Sequence, residues 1–108
     1  MADPTTIAEI MNRMWDKYLS DIQERVAVLE DAASAVSQGT LTPELREQAS
    51  SAAHKLAGVL GTFGLDQGTL LAREAESLYA GDGREALVDG RAAEIAAQLR
   101  AAVASRNR

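Results

Sequence analysis

Apolar residues recur at steps of three and four along the first part of the chain, with polar residues between them. Because an α-helix turns about 100° per residue, this spacing places the apolar residues on one face of a long amphipathic helix. A threonine in the segment 4–6 is suited to cap its start, and Gly39 is suited to the left-handed position that ends it. The stripe consists of Met11, Trp15, Leu19, Ile22, Val26, Leu29, Ala33 and Val36.

A second helix is predicted to begin at Thr42, because Thr42 can cap the first turn and Pro43 fits the first helical position. This helix extends to about Phe63 and stops at Gly64. Its apolar side, which predicts a face toward a shared core, consists of Leu45, Ala49, Ala52, Leu56, Val59, Leu60 and Phe63.

Two further helices follow. Asp66 is predicted to cap the third helix, which ends at residues 80–83. Its residues predicted to face the core are Leu71, Ala75 and Leu78. A short linker through Leu87 and Val88 leads to a final helix over about residues 90–105, whose inward residues are Ile95, Leu99, Ala102 and Val103. Four amphipathic helices with short connections predict an all-α fold, an antiparallel up-down-up-down four-helix bundle in a single domain over residues 1–108.

Composition narrows the classes of function. The chain has 108 residues, 46% of them hydrophobic and 4% aromatic, with no cysteine and a formal net charge of −5. The negative charge disfavours a nucleic-acid partner, and the arginines at positions 100, 106 and 108 fit a cationic helix end better than a binding patch. No apolar stretch approaches the roughly 20 residues that span a bilayer, and the first residues lack the pattern of a secretory signal. We therefore expect a cytoplasmic protein that binds neither nucleic acid nor membrane.

One titratable side chain stands apart from this predicted core. His54 is the single histidine of the chain, and it points almost directly away from the apolar face of its helix. A glycine inside a helix costs roughly 1 kcal/mol relative to alanine, so glycines beside an exposed histidine indicate close approach of another molecule. The small residues one or two turns from His54 are Ser50, Ser51, Ala57, Gly58 and Gly61.

The residues around His54 resemble the histidine phosphotransfer (HPt) family. His54, Leu56 and Gly58 match the pattern His-x-Leu-x-Gly, and Gly64 follows ten residues after the histidine. The run Gly-Thr-Phe-Gly-Leu at 61–65 is especially similar to the phosphotransfer domain of chemotaxis-type histidine kinases. The resemblance implies that His54 is the phosphoacceptor of a two-component phosphorelay and exchanges a phosphoryl group with receiver-domain aspartates.

The same resemblance implies partners, cofactors and a helix break. The partners would be response-regulator receiver domains, a hybrid histidine kinase, or both, and the receiver would contribute the aspartate and Mg²⁺. The chain itself would be a phosphocarrier without kinase activity, not an enzyme, and would hold no cofactor or metal. Family members usually divide the first helical region into a short helix and a long one. Because no proline or glycine lies within residues 16–20, the sequence leaves open whether a short extra N-terminal helix exists.

An exposed imidazole is largely neutral near pH 7, so His54 mainly needs orientation: a carboxylate could hold one ring nitrogen as a donor. The position of Glu76 matches the glutamate that holds the ring in chemotaxis-type domains. Glu76 could instead be solvated or pair with Arg73. Lys55 and Arg73 are candidates to stabilise phosphoryl oxygens, although each could be an ordinary surface cation. Many family members have a lysine where this chain has Ala57.

Close approach of a partner predicts a landing surface. We expect Ala57, Gly58 and Gly61 to form the floor on which a receiver domain lands, with exposed apolar residues of the first two helices around it. A further departure from the family is Gly68, where a leucine is frequent. Close packing of that turn against a bulky neighbour such as Phe63 would account for it.

Other chemistries lack necessary parts. A single histidine without cysteine does not make the usual zinc site, and no glutamate lies three or four residues before His54. Ser50 and Ser51 lie near His54, but no oxyanion loop is evident, and no phosphate-binding glycine loop is present. The remaining alternative is a helical adaptor that docks a partner without being phosphorylated. Replacing His54 by glutamine would separate the two hypotheses.

Overall fold

The computed structural model describes residues 6–81 and 90–106. These residues form four α-helices, with no strand in the described part of the chain. In chain order the helices are α1 (Ile7–Gln38), α2 (Pro43–Thr62), α3 (Asp66–Ala80) and α4 (Arg91–Arg106). The all-α prediction is therefore confirmed.

The ends of the first two helices follow the predicted local chemistry. The Thr6 hydroxyl accepts a hydrogen bond from the Glu9 amide at 3.1 Å, and the Thr42 hydroxyl accepts one from the Leu45 amide at 3.1 Å. Gly39 ends α1 with φ of 71°, the left-handed conformation that glycine adopts without steric penalty.

The first helix is continuous through all 32 of its residues. No separate short N-terminal helix precedes it within the described residues, which resolves the question that the sequence left open. The physical reason is the unbroken apolar stripe, which contains neither proline nor glycine. At about 1.5 Å per residue α1 is about 48 Å long, and it runs along most of the 60 Å long axis of the structure.

The start of α3 differs from the prediction. Asp66 is the first residue of the helix rather than its cap; Leu65 occupies the cap position and makes no side-chain capping bond. The turn is instead closed by the backbone, because Gly64 adopts φ of 73° and the Leu65 amide donates to the Leu60 carbonyl at 2.9 Å. At the other end α3 stops at Gly81, and the predicted closing residues 82–83 and the linker at Leu87 and Val88 lie outside the described residues.

The helices pack as a closed ring in the order α1, α2, α3, α4, with α4 returning to α1. Contacts between α4 and α1 run in opposite directions along the chain: Arg106 donates to Asn12 at 2.9 Å, and Arg100 donates to Glu30. The short connections at 39–42 and 63–65 make the other neighbours antiparallel as well. The predicted up-down-up-down bundle is confirmed.

The fully buried side chains fall mostly on the predicted apolar faces, but every helix also has predicted inward residues that are only half-buried. On α1 and α2 these are Met11, Leu19, Val36, Leu45, Val59 and Phe63. Leu78 and Ala102 are only half-buried, while Tyr79, which was not predicted, is 2% exposed. Near one end of the bundle the rings of Trp15 and Phe63 meet edge to face, with centroids 5.2 Å apart. The largest fully buried side chains are Trp15, Ile22, Val26, Leu29, Leu56, Leu60, Ile95 and Leu99.

The length and hydropathy of the helices show whether any of them could cross a membrane. Within residues 6–81 and 90–106, no helix combines the length and the apolar character that crossing a bilayer requires.

Candidate functional site

His54 lies in the middle of α2 and projects from the bundle, with 73% of its side chain exposed. Its Nδ1 atom lies 3.0 Å from Oε2 of Glu76, which is on the neighbouring helix α3. The structure thus brings together the two side chains that the sequence singled out from positions 22 residues apart. The alternative pair of Glu76 with Arg73 is not formed.

The contact with Glu76 gives the two nitrogens of the imidazole ring different roles. An ionised carboxylate can only accept hydrogen bonds, so the proton of this contact belongs to Nδ1. In the neutral ring Nε2 then carries the lone pair, and the exposure of the side chain leaves that nitrogen open to an incoming molecule. The arrangement provides an oriented nucleophile whose second nitrogen is held by a negative charge.

The relative position of α2 and α3 is fixed at both ends of their contact. Near the start of α2, the Arg46 guanidinium donates to the Gly81 carbonyl at 2.6 Å and so binds the last turn of α3. Toward the other end, the Thr69 hydroxyl donates to the Ala57 carbonyl at 3.1 Å. His54 and Glu76 meet between these two hydrogen bonds.

The three small residues predicted as a landing floor do not have the same surroundings. Gly58 is exposed, and a Cβ atom added there would meet nothing within 4 Å. Gly61 is exposed too, but a Cβ atom there would lie 3.3 Å from Oγ1 of Thr69. Ala57 is only 7% exposed. A partner would therefore meet Gly58 and Gly61, whereas the Ala57 side chain belongs to the core, which corrects its place in the predicted floor.

The bulky neighbour of Gly68 is not the one expected. A Cβ atom at Gly68 would lie 3.0 Å from Cδ1 of Leu60, so the bulky side chain packed against this glycine is Leu60. Phe63 instead packs against Trp15 of α1. The expectation of close packing was sound, but its partner was wrong because Phe63 lies on the α1 side of α2.

The two candidate cations flank the site without contacting the ring. Lys55 and Arg73 are both exposed, and neither forms an ion pair with His54 or Glu76 among the residues described. Lys55 borders a shallow groove between α1 and α2 together with Arg25 and Ser51.

Large exposed apolar side chains occur in two places in the described chain. Four of them, Ile7, Ile10, Met14 and Tyr18, lie on the first turns of α1. The fifth is Leu70 on α3, which is 61% exposed and lies one turn before Arg73. An apolar patch was expected on the first two helices; α1 and α3 carry it instead, and α2 contributes no large exposed apolar residue.

The ligand types for a metal ion are His, Cys, Asp and Glu. Across the two described segments, no group of three or more such side chains is arranged to hold a metal ion.

Two residues that join α2 to α3 on either side of the pair were not singled out from the sequence. Thr69 is seven residues before Glu76, which is two helical turns and therefore the same face of α3. That spacing was a signal that could have been used. Arg46 had no comparable signal, because its acceptor is a backbone carbonyl 35 residues away.

Comparison with known proteins gives a family and one relative. The family model of the Hpt domain matches residues 13–105 of the chain. Protein RcaC from Microchaete diplosiphon is 35% identical over 77 residues, a match that covers 71% of this chain and 12% of that protein. The chain therefore corresponds to a small part of this relative's length. No solved structure matches.

Proposed function

Since the chain belongs to the Hpt domain family, whose role is phosphotransfer in two-component signalling, we propose that His54 carries the phosphoryl group between aspartates of receiver domains. The observation that carries this proposal is the contact between Nδ1 of the exposed His54 and Oε2 of Glu76 at 3.0 Å. The contact leaves the lone pair of Nε2 directed outward, where a receiver domain could present its aspartyl phosphate.

Transfer to the chain requires one bond to form and one to break. The lone pair of Nε2 attacks the phosphorus atom of the aspartyl phosphate, an N–P bond forms, and the bond from phosphorus to the aspartate oxygen breaks. The aspartate leaves as a carboxylate with the bonding electrons. The ring keeps its proton on Nδ1 and becomes positively charged, and the Glu76 carboxylate stabilises that charge. Reversal of the same steps returns the phosphoryl group to an aspartate.

The receiver domain would supply the remaining electrostatic stabilisation. A Mg²⁺ ion bound by the receiver would neutralise negative charge on the phosphoryl oxygens during transfer. Lys55, next to His54 on α2, and Arg73, one turn before Glu76 on α3, are both exposed and would add positive charge once the phosphoryl group is on Nε2. In this scheme the chain is a phosphocarrier without kinase activity that works in the cytoplasm. Its partners are receiver domains or a hybrid histidine kinase.

Phosphoryl transfer from a panel of phosphorylated receiver domains tests the proposal. The wild-type chain should take up an acid-labile, base-stable label, and His54→Gln should take up none. Because the side chain is 73% exposed, this substitution should leave the melting temperature within error of wild type. A wild-type chain that binds a receiver but never takes label across a broad panel would contradict the relay and favour the adaptor.

The role of Glu76 has a separate test. Loss of a hydrogen bond to a charged group is worth about 1.5–3 kcal/mol, so Glu76→Gln should slow transfer roughly 10- to 100-fold. Glu24→Gln is the matched control, because Glu24 is an exposed glutamate on α1 and its substitution removes the same charge. Equal rates for both variants would show that Glu76 has no part in transfer.

A further inference from the structure

Thr69 connects α3 to α2 by a hydrogen bond that the proposed chemistry does not use. Its hydroxyl donates to the Ala57 carbonyl at 3.1 Å, in a half-buried position. Inside a helix, the carbonyl of residue 57 lies next to residue 61, four positions later. Residue 61 is a glycine, and a Cβ atom there would lie 3.3 Å from Oγ1 of Thr69. Gly61 therefore leaves the space through which the hydroxyl reaches the backbone of α2.

This contact lies on the same faces of the two helices as the ring contact. Thr69 precedes Glu76 by seven residues, and Gly61 follows His54 by seven residues. Seven residues are almost two helical turns, so each pair shares one face of its helix and is about 10 Å apart along the axis. A change in the distance between α2 and α3 at Thr69 should therefore also change the distance between His54 and Glu76.

The ring contact itself has little other support. The His54 side chain is 73% exposed, so few surrounding atoms hold the ring, while the Glu76 side chain is half-buried at 35% exposed. Their distance depends on how closely the two helix backbones approach. Arg46 holds the far end of α3 through its bond to Gly81, and Thr69 is the corresponding link on the other side of the pair.

We propose that Thr69, with the space left by Gly61, is a positioning residue that holds Glu76 against Nδ1 of His54. The inference rests on the proposed function for its importance in phosphotransfer. The orientation of the ring, however, is a property of the chain alone and can be measured without any receiver domain.

The chain offers a matched control in Thr62. Its hydroxyl donates to the Gly58 carbonyl at 3.1 Å, four residues earlier in the same helix. Thr62→Val and Thr69→Val therefore remove the same group and the same kind of hydrogen bond. Only the second variant removes a bond between two helices.

The test is ¹⁵N NMR of the His54 ring in the receiver-free chain, at a pH where the ring is neutral. The wild type, Thr62→Val and Thr69→Ser should share one ratio of the Nδ1–H to the Nε2–H form, because all retain the link between helices. Thr69→Val should lower that ratio roughly threefold to tenfold, the size expected for one net hydrogen bond. Gly61→Ala should change it in the same direction, since its methyl group displaces the hydroxyl.

Circular dichroism confirms that each variant is folded before its ring is measured, and if Thr69→Val does not fold, Gly61→Ala carries the test. An unchanged ratio in both Thr69→Val and Gly61→Ala would overturn the inference, as would an equal change in Thr62→Val. A chain that takes no phosphoryl label but shows the expected ring ratios would contradict the proposed function and leave this inference intact.

Discussion

The contact between α2 and α3 and the contacts that α4 makes with its neighbours join antiparallel helices by different means. Between α2 and α3 the cross-helix polar links are the Thr69 hydroxyl on the Ala57 carbonyl, the pair of His54 with Glu76, and the Arg46 guanidinium on the Gly81 carbonyl, so two of the three end on a backbone carbonyl. Helix α4 is joined to its neighbours by two bidentate ion pairs between long side chains, besides the hydrogen bond from Arg106 to Asn12. These connect Arg91 to Glu74 of α3 and Arg100 to Glu30 of α1.

This difference suggests which helix contacts suit a side chain that must be held in one orientation, such as the ring of His54. Arginine and glutamate are long and flexible, so a bidentate pair tolerates small changes in the distance between helices. A hydroxyl that reaches a backbone carbonyl past a glycine tolerates almost none. The candidate site lies on the contact that also has a short hydroxyl bond to a backbone carbonyl, whereas α4 is joined to α1 and α3 by ion pairs between side chains.

The largest expected effects come from removing one buried leucine from each region. Leu60→Ala, on α2 beside Gly68, and Leu99→Ala, on α4, should each lower the free energy of unfolding by about 2–5 kcal/mol, because both side chains are 0% exposed. Only Leu60→Ala should also slow phosphoryl transfer, measured well below both unfolding transitions. Equal transfer rates in the two variants would remove the functional distinction between the regions.

The next largest effect concerns two hydroxyl groups of α3 that point inward, on Thr69 and Tyr79, which differ in whether they have a hydrogen-bond partner. Thr69 has an acceptor, whereas the Tyr79 hydroxyl is buried without a hydrogen-bond partner among the described residues. Burial raises the pKa of Tyr79 to about 12, so the folded state disfavours its ionised form. Its contribution to stability is complete below the ordinary tyrosine pKa of about 10, and is lost as pH rises from there toward 12, by up to roughly 1.4 kcal/mol per pH unit.

Urea unfolding between about pH 9 and pH 12, a range that brackets the ordinary tyrosine pKa, checks this effect. Tyr79→Phe should be as stable as wild type or more stable at pH 7, because it removes a buried hydroxyl that has no partner. It should also lose stability less steeply above about pH 10. Tyr18→Phe is the control, since Tyr18 is 37% exposed. An identical alkaline slope in wild type and Tyr79→Phe would contradict the prediction.

Two alanine substitutions compare the open and the packed glycine of α2. Gly58→Ala should raise the free energy of unfolding by up to about 1 kcal/mol, because alanine favours the helix and its Cβ atom meets nothing within 4 Å. Gly61→Ala should gain less or lose stability, because its Cβ atom would crowd Thr69 at 3.3 Å. Thermal unfolding of both variants measures the difference, and an equal gain would mean that α3 does not constrain Gly61.

The smallest effect is expected from the ion pairs of α4. The hydrogen bond from Arg100 lowers the pKa of Glu30, and the one from Arg91 lowers the pKa of Glu74. Carboxylates with lowered pKa stabilise the fold above the ordinary glutamate pKa, about 4.3, and this contribution is lost as pH falls below it. Arg100→Met should cost less than about 1 kcal/mol at pH 7, since both partners are about two-fifths exposed.

Acid unfolding of Arg100→Met checks this, with the exposed Arg13→Met as control. The variant should approach wild-type stability as Glu30 becomes protonated. Phosphoryl transfer should remain at the wild-type rate, and a loss of transfer would show that the contacts of α4 also support the site.

The helices and the exposed position of His54 could be predicted from the sequence, because both depend on the spacing of residues within a few helical turns. The helix starts at Thr6 and Thr42 require only a hydroxyl three residues before a free amide. The exposure of His54 follows from its angle to the apolar face. The cap of α3 was predicted wrongly at Asp66, because a backbone turn through Gly64 replaced the side-chain bond, and such turns carry weaker signals than caps.

By itself the sequence determined the four amphipathic helices, the exposed position of His54 and the small residues near it, since each follows from helical periodicity within a few turns. Only the tertiary structure decided that Glu76 meets Nδ1, that Leu60 rather than Phe63 packs against Gly68, and that Thr69 bonds across to Ala57. The physical reason is that these contacts depend on the distance and register between two helices. Periodicity fixes which face a residue occupies, but the register is set by the packing of both helices together.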